Sequence, residues 1–177
     1  KDDMIELLVK MKGAVPEHVR IKRIMRDISE HEAEAGARTT NLRQLVKELM
    51  GRRCKKCKCI RCREVGLDDV NTDDVQMKIK KYAASEGKEL FISFEDILKD
   101  KIIGFLRLRI DSSDTAKVRE LHVYGEMTPI GEKIAQQHSG FGKQLMQKAE
   151  EITRDNGKKR ISVTSGVGVR GYYRRLG

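Results

Sequence analysis

The feature that most narrows the fold is a change of hydrophobic period partway along the 177-residue chain. From residue 75 to residue 124 the pattern repeats every two positions. Val75, Met77 and Ile79 alternate with polar neighbours, residues 85–88 read as a turn, and Leu90, Ile92 and Phe94 alternate again. Residues 102–110 and 118–124 continue as third and fourth strands. From Gly140 to Asn156 the period becomes helical: Leu145, Met146, Ala149 and Ile152 share a face, and Gly157 ends the helix. Residues 161–164 form a fifth strand, followed by a glycine-rich turn and a helix that starts at Tyr172 and Tyr173. An antiparallel meander, a helix and a further strand predict a mixed sheet of the α/β (α+β) class.

The first 66 residues carry a different pattern. Residues 3–12 predict a helix with Met4, Leu7, Leu8 and Met11 on its apolar face and Gly13 as its stop. Residues 19–28 predict a strand with Ile21 and Ile24 among basic neighbours. Thr40 or Asn41 can cap a helix reaching Met50, and a cysteine loop follows and ends near Gly66. No run of 18 apolar residues exists, so no membrane span is expected. The charged amphipathic N-terminus does not read as a signal peptide.

Charge separates the two halves as well. Residues 1–66 hold 17 Lys/Arg against 10 Asp/Glu, a net +7 of the chain's +10. Residues 47–63 contain eight basic side chains (Lys47, Arg52, Arg53, Lys55, Lys56, Lys58, Arg61, Arg63) and one acid, Glu48. A field this concentrated favours a polyanion, most simply nucleic acid.

All four cysteines lie between Cys54 and Cys62, in the run Cys54-Lys-Lys-Cys57-Lys-Cys59-Ile-Arg-Cys62. Structural disulfides are normally spread along a chain. This clustering points to thiolate ligation of a metal, zinc above all, in a reducing, cytoplasmic setting. All four sulfurs could serve, or three with a histidine, His31 before His18. A redox dithiol is the other use of such spacing. An iron–sulfur cluster of the radical type needs a differently spaced triplet.

The second chemical feature is Gln137-His138-Ser139-Gly140-Phe141-Gly142, placed after a strand and directly before the amphipathic helix. Glycines there let a ligand approach the backbone. The unpaired N–H groups of the first helical turn, with the helix dipole, attract an anion such as a pyrophosphate.

A Q-x-x-G-x-G turn in that setting resembles the pyrophosphate loop of the GNAT acetyltransferases, and the likeness extends over residues 74–177. The segments VRIKRIMRDI, NLRQLV, CKCIRCREVG, VRELHVYGEM, QHSGFGKQLMQKAE and ISVTSGVGVRGYYRRLG further resemble the family of Elongator-type tRNA wobble-uridine acetyltransferases, over nearly the whole chain. That resemblance implies a GNAT-type fold with a zinc-binding linker and a remnant of a radical SAM domain. The expected divisions are residues 1–35 for the remnant, 36–73 for the basic linker and 74–177 for an incomplete acetyltransferase domain. Complete members use acetyl-CoA together with S-adenosylmethionine at an iron–sulfur cluster to build a carboxymethyl-type group on carbon 5 of the anticodon wobble uridine. This chain lacks the cluster's cysteine triplet and is expected to be a fragment that does not complete the reaction.

Residue by residue, the resemblance implies that Glu120, Leu121, His122 and Val123 form a splayed strand along the pantetheine arm. Gln137, Gly140, Phe141, Gly142 and Lys143 would form the pyrophosphate loop. Tyr173, with Tyr172 beside it, would contact the cofactor near its sulfur, where a phenol can act as a general acid. Cys57, Cys59 and Cys62 match the family's zinc pattern, with Cys54 outside it and His31 as fourth ligand. Arg20, Lys22, Arg23, Arg52, Arg53, Lys55, Lys56, Lys58, Arg61 and Arg63 are candidates for phosphates of a tRNA anticodon stem-loop. Accessory subunits of Elongator type are expected partners in eukaryotic members. Two other readings use the same residues: a protein lysine acetyltransferase with Glu120 as general base, and a zinc-stapled RNA-binding module without catalysis.

Overall fold

The computed structural model describes residues 2–24, 41–66, 72–124 and 140–176. The chain divides into two compact units, Lys1–Arg63 and Glu64–Gly177. This division falls at neither expected boundary. It runs inside the 36–73 segment, because Glu64 forms a bridge to Ile102 and Val65 N–H donates to the Ile102 carbonyl at 2.9 Å.

The second unit is built on five strands in the order β1-β2-β3-β4-β5: β1 Val75–Ala84, β2 Gly87–Asp96, β3 Lys101–Ile110, β4 Thr115–Val123 and β5 Arg160–Val163. The first three junctions are antiparallel and the last is parallel. The parallel junction needs a crossover, and helix α4, Phe141–Asp155, lies in it. The expected strands and helix are all present, and each strand is longer at one or both ends than its apolar alternation suggested, because ladder bonds extend into the polar flanks.

One face of the sheet forms the main core. Leu90, Ile92 and Phe94 of β2, Leu106 and Leu108 of β3, and Ala116 and Val118 of β4 pack with Leu145, Met146, Ala149 and Ile152 of α4. The helix thus buries the stripe that its 3.6-residue period predicted. β1 is one edge strand; Lys78, Lys80 and Lys81 are exposed along it and discourage pairing with another chain. Two bulges re-aim side chains. Between Phe94 and Glu95 the register skips Ile103, and between Leu108 and Arg107 it skips Arg119 on β4.

In the first unit, α1 (Asp2–Ala14) packs on α2 (Leu42–Arg52) through Val9, Leu42, Val46 and Met50, with Met4, Ile5 and Leu8 beside them. The expected α1 face is rotated: Leu7 and Met11 are 57% and 55% exposed. The sequence of α1 carries two overlapping apolar stripes of equal period, and its packing on α2 selects the one through residues 5 and 9. Gly13 does not stop the helix. It runs to Ala14 and ends ahead of Val15-Pro16, where the residue before proline is pushed out of the helical region. Asn41 occupies the N-cap of α2 without a side-chain cap bond; Thr40 lies outside the described residues.

The strand expected at 19–28 is absent over residues 19–24, and 25–28 lie outside the described residues. The reason is visible in its carbonyls. Val19 accepts from Ile60 N–H at 3.0 Å, and Ile21 and Lys22 both accept from Arg43 Nη2 at 3.1 Å. The segment is held by an α2 side chain and by the start of the short helix α3, Ile60–Arg63, in the cysteine loop instead of by a neighbouring strand.

Candidate functional site

β4 and β5 pair only from Thr115↔Arg160 to Val118↔Val163, and Thr164 N–H adds one last bond to the Val118 carbonyl at 3.0 Å. Beyond the Arg119 bulge, residues 120–123 of β4 pair with β3 alone among the described residues. The backbone groups on the other edge of that stretch open into a fork. The bulge has a second consequence: it places Leu121 against the α4-side core while Glu120 pairs with Arg107 and His122 with Phe105 on the opposite face.

The glycine bend meets this fork. Gly140 adopts φ +116°, a conformation that favours glycine, and is exposed at the start of α4. Its carbonyl accepts from Gln144 N–H at 2.9 Å, and among the described residues no side-chain cap bond closes the helix start. The first-turn N–H groups therefore keep their capacity for an anion. A Cβ placed on Gly142 would lie 3.6 Å from Val123 Cγ2 and 2.7 Å from Tyr172 Oη. The helix start, the free end of β4 and one tyrosine thus converge. Lys143 is exposed beside them. Phe141 anchors the loop instead of lining it: its ring lies 4.7 Å from that of Phe94, so only its backbone can face a ligand. Gln137 lies outside the described residues.

The tyrosine pair divides differently from the expectation. Tyr172 and Tyr173 meet edge to face at 5.2 Å. Tyr173 packs against the main core, while the Tyr172 hydroxyl stands at the α4 N-terminus. Two adjacent residues on a helix point about 100° apart, so only one can face the loop. Burial raises the pKa of both phenols, with Tyr172 adding to the rise at Tyr173. Each stays protonated and able to donate.

Glu120 is not a free carboxylate. His122 Nε2 lies 3.2 Å from its Oε1, and Arg107 Nε donates to Oε2 at 2.7 Å. The His122 bond first, then the Arg107 bond, hold its pKa down to about 2 against the opposing effect of burial. A carboxylate this acidic is a poor base at neutral pH. Arg107 also donates to Tyr82 Oη at 2.9 Å and lies over the rings of Phe91 and Phe105. Tyr82 in turn donates to Glu89 at 2.8 Å, and Glu89 is paired with Arg119. This chain across four strands involves residues that lack any local signal in the sequence; only strand register brings them together.

In the first unit the sulfurs of Cys57, Cys59 and Cys62 lie within 4.8 Å of one another. Cys54 is exposed at φ 52° and outside the group, as is His18. His31 lies outside the described residues. The donor set suits a thiophilic ion. Cys59 is drawn down to about 4, chiefly because its sulfur accepts from Cys62, with Cys57 and Ile21 N–H adding bonds; Cys62 is pushed up by the same bond. Lys12, buried on α1, approaches Cys62 Sγ at 3.4 Å. Three crowded sulfurs would supply three of the four donors that a tetrahedral zinc–thiolate site takes. The basic candidates separate. Arg63 is 4% exposed and so is no surface contact. Arg53 is tied to Glu6 through both nitrogens of its fork, and Arg20 is half-buried. Lys22, Arg23, Arg52, Lys55, Lys56, Lys58 and Arg61 are exposed. Lys12, beside Cys62, and Arg43, which holds the Ile21 and Lys22 carbonyls, are neighbours that charge counting could not single out.

A five-stranded sheet with a β4–β5 fork and a glycine-started helix defines a class, and residues 66–177 match the model of the acetyltransferase (GNAT) family; the chain belongs to that family. Over 198 residues it is 40% identical to the tRNA uridine(34) acetyltransferase of Methanocaldococcus jannaschii, covering 100% of this chain and 36% of that protein. It is 40% identical over 191 residues to Elongator complex protein 3 of Schizosaccharomyces pombe, covering 98% of this chain and 35% of that protein. A solved structure of the archaeal Methanocaldococcus infernus Elp3 with an N-terminal deletion superposes with a TM-score of 0.87 at 39% identity, covering 97% of this chain and 45% of that one. The chain thus spans about a third of the length of these relatives. No described helix is long and apolar enough to cross a membrane.

Proposed function

We propose that this chain is the acetyl-CoA-handling part of a tRNA wobble-uridine modifying enzyme, with a zinc-stapled basic segment that holds the anticodon stem-loop. The observation that carries this reading is the Gly140–Gly142 bend, exposed at Gly140, which meets the free end of β4 at Val123. When bound there, acetyl-CoA supplies an activated two-carbon unit as a thioester. The N–H groups of Phe141, Gly142 and Lys143 would face its diphosphate. The open edge of residues 119–123 would pair with the amides of its arm. Tyr172 would give its proton to the departing sulfur.

Cys57, Cys59 and Cys62 would hold zinc, with His31 proposed as the fourth ligand; the ion supplies a covalent-like cross-link for the loop. The basic segment spans the 36–73 division and the adjoining residues 20–23. The reducing chemistry of such sites agrees with a cytoplasmic setting. No residue of this chain is assigned to S-adenosylmethionine or an iron–sulfur cluster. Docking to Elongator-type subunits is proposed only for a eukaryotic context. Transfer to a protein lysine is disfavoured, since Glu120, the carboxylate available as base, is tied up by Arg107 and His122.

Two measurements on the full chain test this reading. Calorimetry should detect acetyl-CoA binding that desulfo changes at the sulfur leave largely intact but that removal of the diphosphate abolishes. Binding of an anticodon stem-loop should weaken by about 10³-fold between 50 and 200 mM salt if about six phosphates are neutralised. Absence of acetyl-CoA binding, or an affinity independent of salt, would overturn the corresponding half of the proposal.

A further inference from the structure

The face of β4 away from α4 carries an oriented imidazole. His122 lies on the stretch that has lost its β5 neighbour. Its Nε2 faces Glu120 Oε1 at 3.2 Å, and Glu120 is fixed from its other oxygen by Arg107 at 2.7 Å. Its ring lies against Phe105, 5.4 Å away, and Tyr124, 6.3 Å away and within 9° of parallel, and these two rings are themselves 6.2 Å apart. The side chain is nevertheless 45% exposed. A carboxylate on Nε2 selects the tautomer with the proton there, which leaves Nδ1 as the basic atom. Arg107 keeps the carboxylate anionic, so that it orients the ring and does not itself take up the proton.

The fork gives this arrangement its place. A thioester lying along the free edge of β4 would have the α4 bend and the Tyr172 hydroxyl on one side. A nucleophile must then come from the other side, and His122 is the described imidazole there. A carboxymethyl-type product from a two-carbon thioester also demands a water, because the carbon–sulfur bond has to be replaced by carbon–oxygen.

We propose that His122 is the proton acceptor for a water that attacks the thioester carbonyl, with Glu120 and Arg107 as positioning residues. This rests on the acetyl-CoA reading above. The water oxygen bonds to the carbonyl carbon while one of its protons passes to Nδ1. The carbon–sulfur bond then breaks, and Tyr172 gives its proton to the sulfur. The imidazolium returns a proton to the phenolate through solvent. The products are a carboxylic acid and a free thiol, and nothing is oxidised or reduced.

The test uses the full chain with acetyl-CoA, with and without an anticodon stem-loop. Release of CoA is followed by chromatography and acetyl-CoA binding by calorimetry. His122→Ala should bind acetyl-CoA within about twofold of the unsubstituted chain and release CoA about 10²- to 10³-fold more slowly. Added imidazole should restore part of the rate, and should do nothing for Tyr172→Phe. Nitrogen-15 spectra of the unliganded chain should show the His122 proton on Nε2, and Glu120→Ala should convert this to a mixture of tautomers. Normal release by His122→Ala, no rescue by imidazole, or an Nδ1-protonated ring would each overturn the assignment. A chain that binds no acetyl-CoA at all would instead overturn the reading beneath it. Binding without CoA release under either condition would overturn His122's role alone.

Discussion

Gly142→Ala isolates the glycine bend from the rest of the fold. The added Cβ would stand 2.7 Å from Tyr172 Oη and 3.6 Å from Val123 Cγ2. The first distance is roughly 0.8 Å short of a comfortable carbon contact. The clash falls on the far end of a half-buried side chain, carried on the short helix α5, Arg170–Leu176, so the phenol can retreat. Alanine also prefers the helix to glycine by up to about 1 kcal/mol. The two effects nearly cancel, and thermal stability should move little. Binding should not escape. The methyl stands at the first turn of α4, where a diphosphate must reach backbone N–H groups. Losing one charge-assisted hydrogen bond of about 1.5–3 kcal/mol weakens acetyl-CoA by about 10- to 100-fold. Calorimetric titration reads this directly, with differential scanning of the same samples as the fold control. Gly140→Ala is the contrasting case: φ +116° is strained for alanine, so it should lose about 1–2 kcal/mol of stability as well. Unaltered acetyl-CoA affinity in stable Gly142→Ala would refute the proposed contact between this bend and a diphosphate.

Other perturbations test separate parts of the molecule. Leu145→Ala on α4, fully buried in the sheet core, should reduce stability by about 2–5 kcal/mol; a urea midpoint shift worth less than 1 kcal/mol would mean that this helix is not packed as described. Glu120 has a folded pKa of about 2 against an ordinary 4.5, so the stability it adds is present above pH 4.5 and is lost as pH falls toward 2. That gap corresponds to about 3 kcal/mol at full strength, which 30% exposure and screening reduce to about 1–2 kcal/mol. Glu120→Gln should therefore be less stable at pH 7, with the difference closing between pH 4.5 and 2; equal stability at both ends would show that the Arg107 and His122 bonds contribute nothing. Elemental analysis should find one zinc per chain, retained by Cys54→Ser and lost from the triple serine variant at Cys57, Cys59 and Cys62. Zinc surviving the triple change would remove the cysteine loop as its holder.

What could be read from residue order is what depends on near neighbours. The two-residue period of β2 and β3, the 3.6-residue stripe of α4, the glycine bend ahead of it, and the spacing that draws Cys57, Cys59 and Cys62 together are all local, and the structure contains each. Tertiary contacts decided the choices that local pattern leaves degenerate. Two stripes on α1 have the same period, and packing on α2 selected one. Tyr172 and Tyr173 are neighbours with the same chemistry, and the direction of α5 sent one hydroxyl to the bend and one ring to the core. Arg63 resembles the other basic residues of its run, yet it is buried. Glu120 reads as a free base until strand register sets Arg107 against it and the bulge at Arg119 turns it away from the core. Local periodicity can specify how a segment is wound; it does not specify which distant group will share its pocket, and acidity, burial and reach are properties of that company.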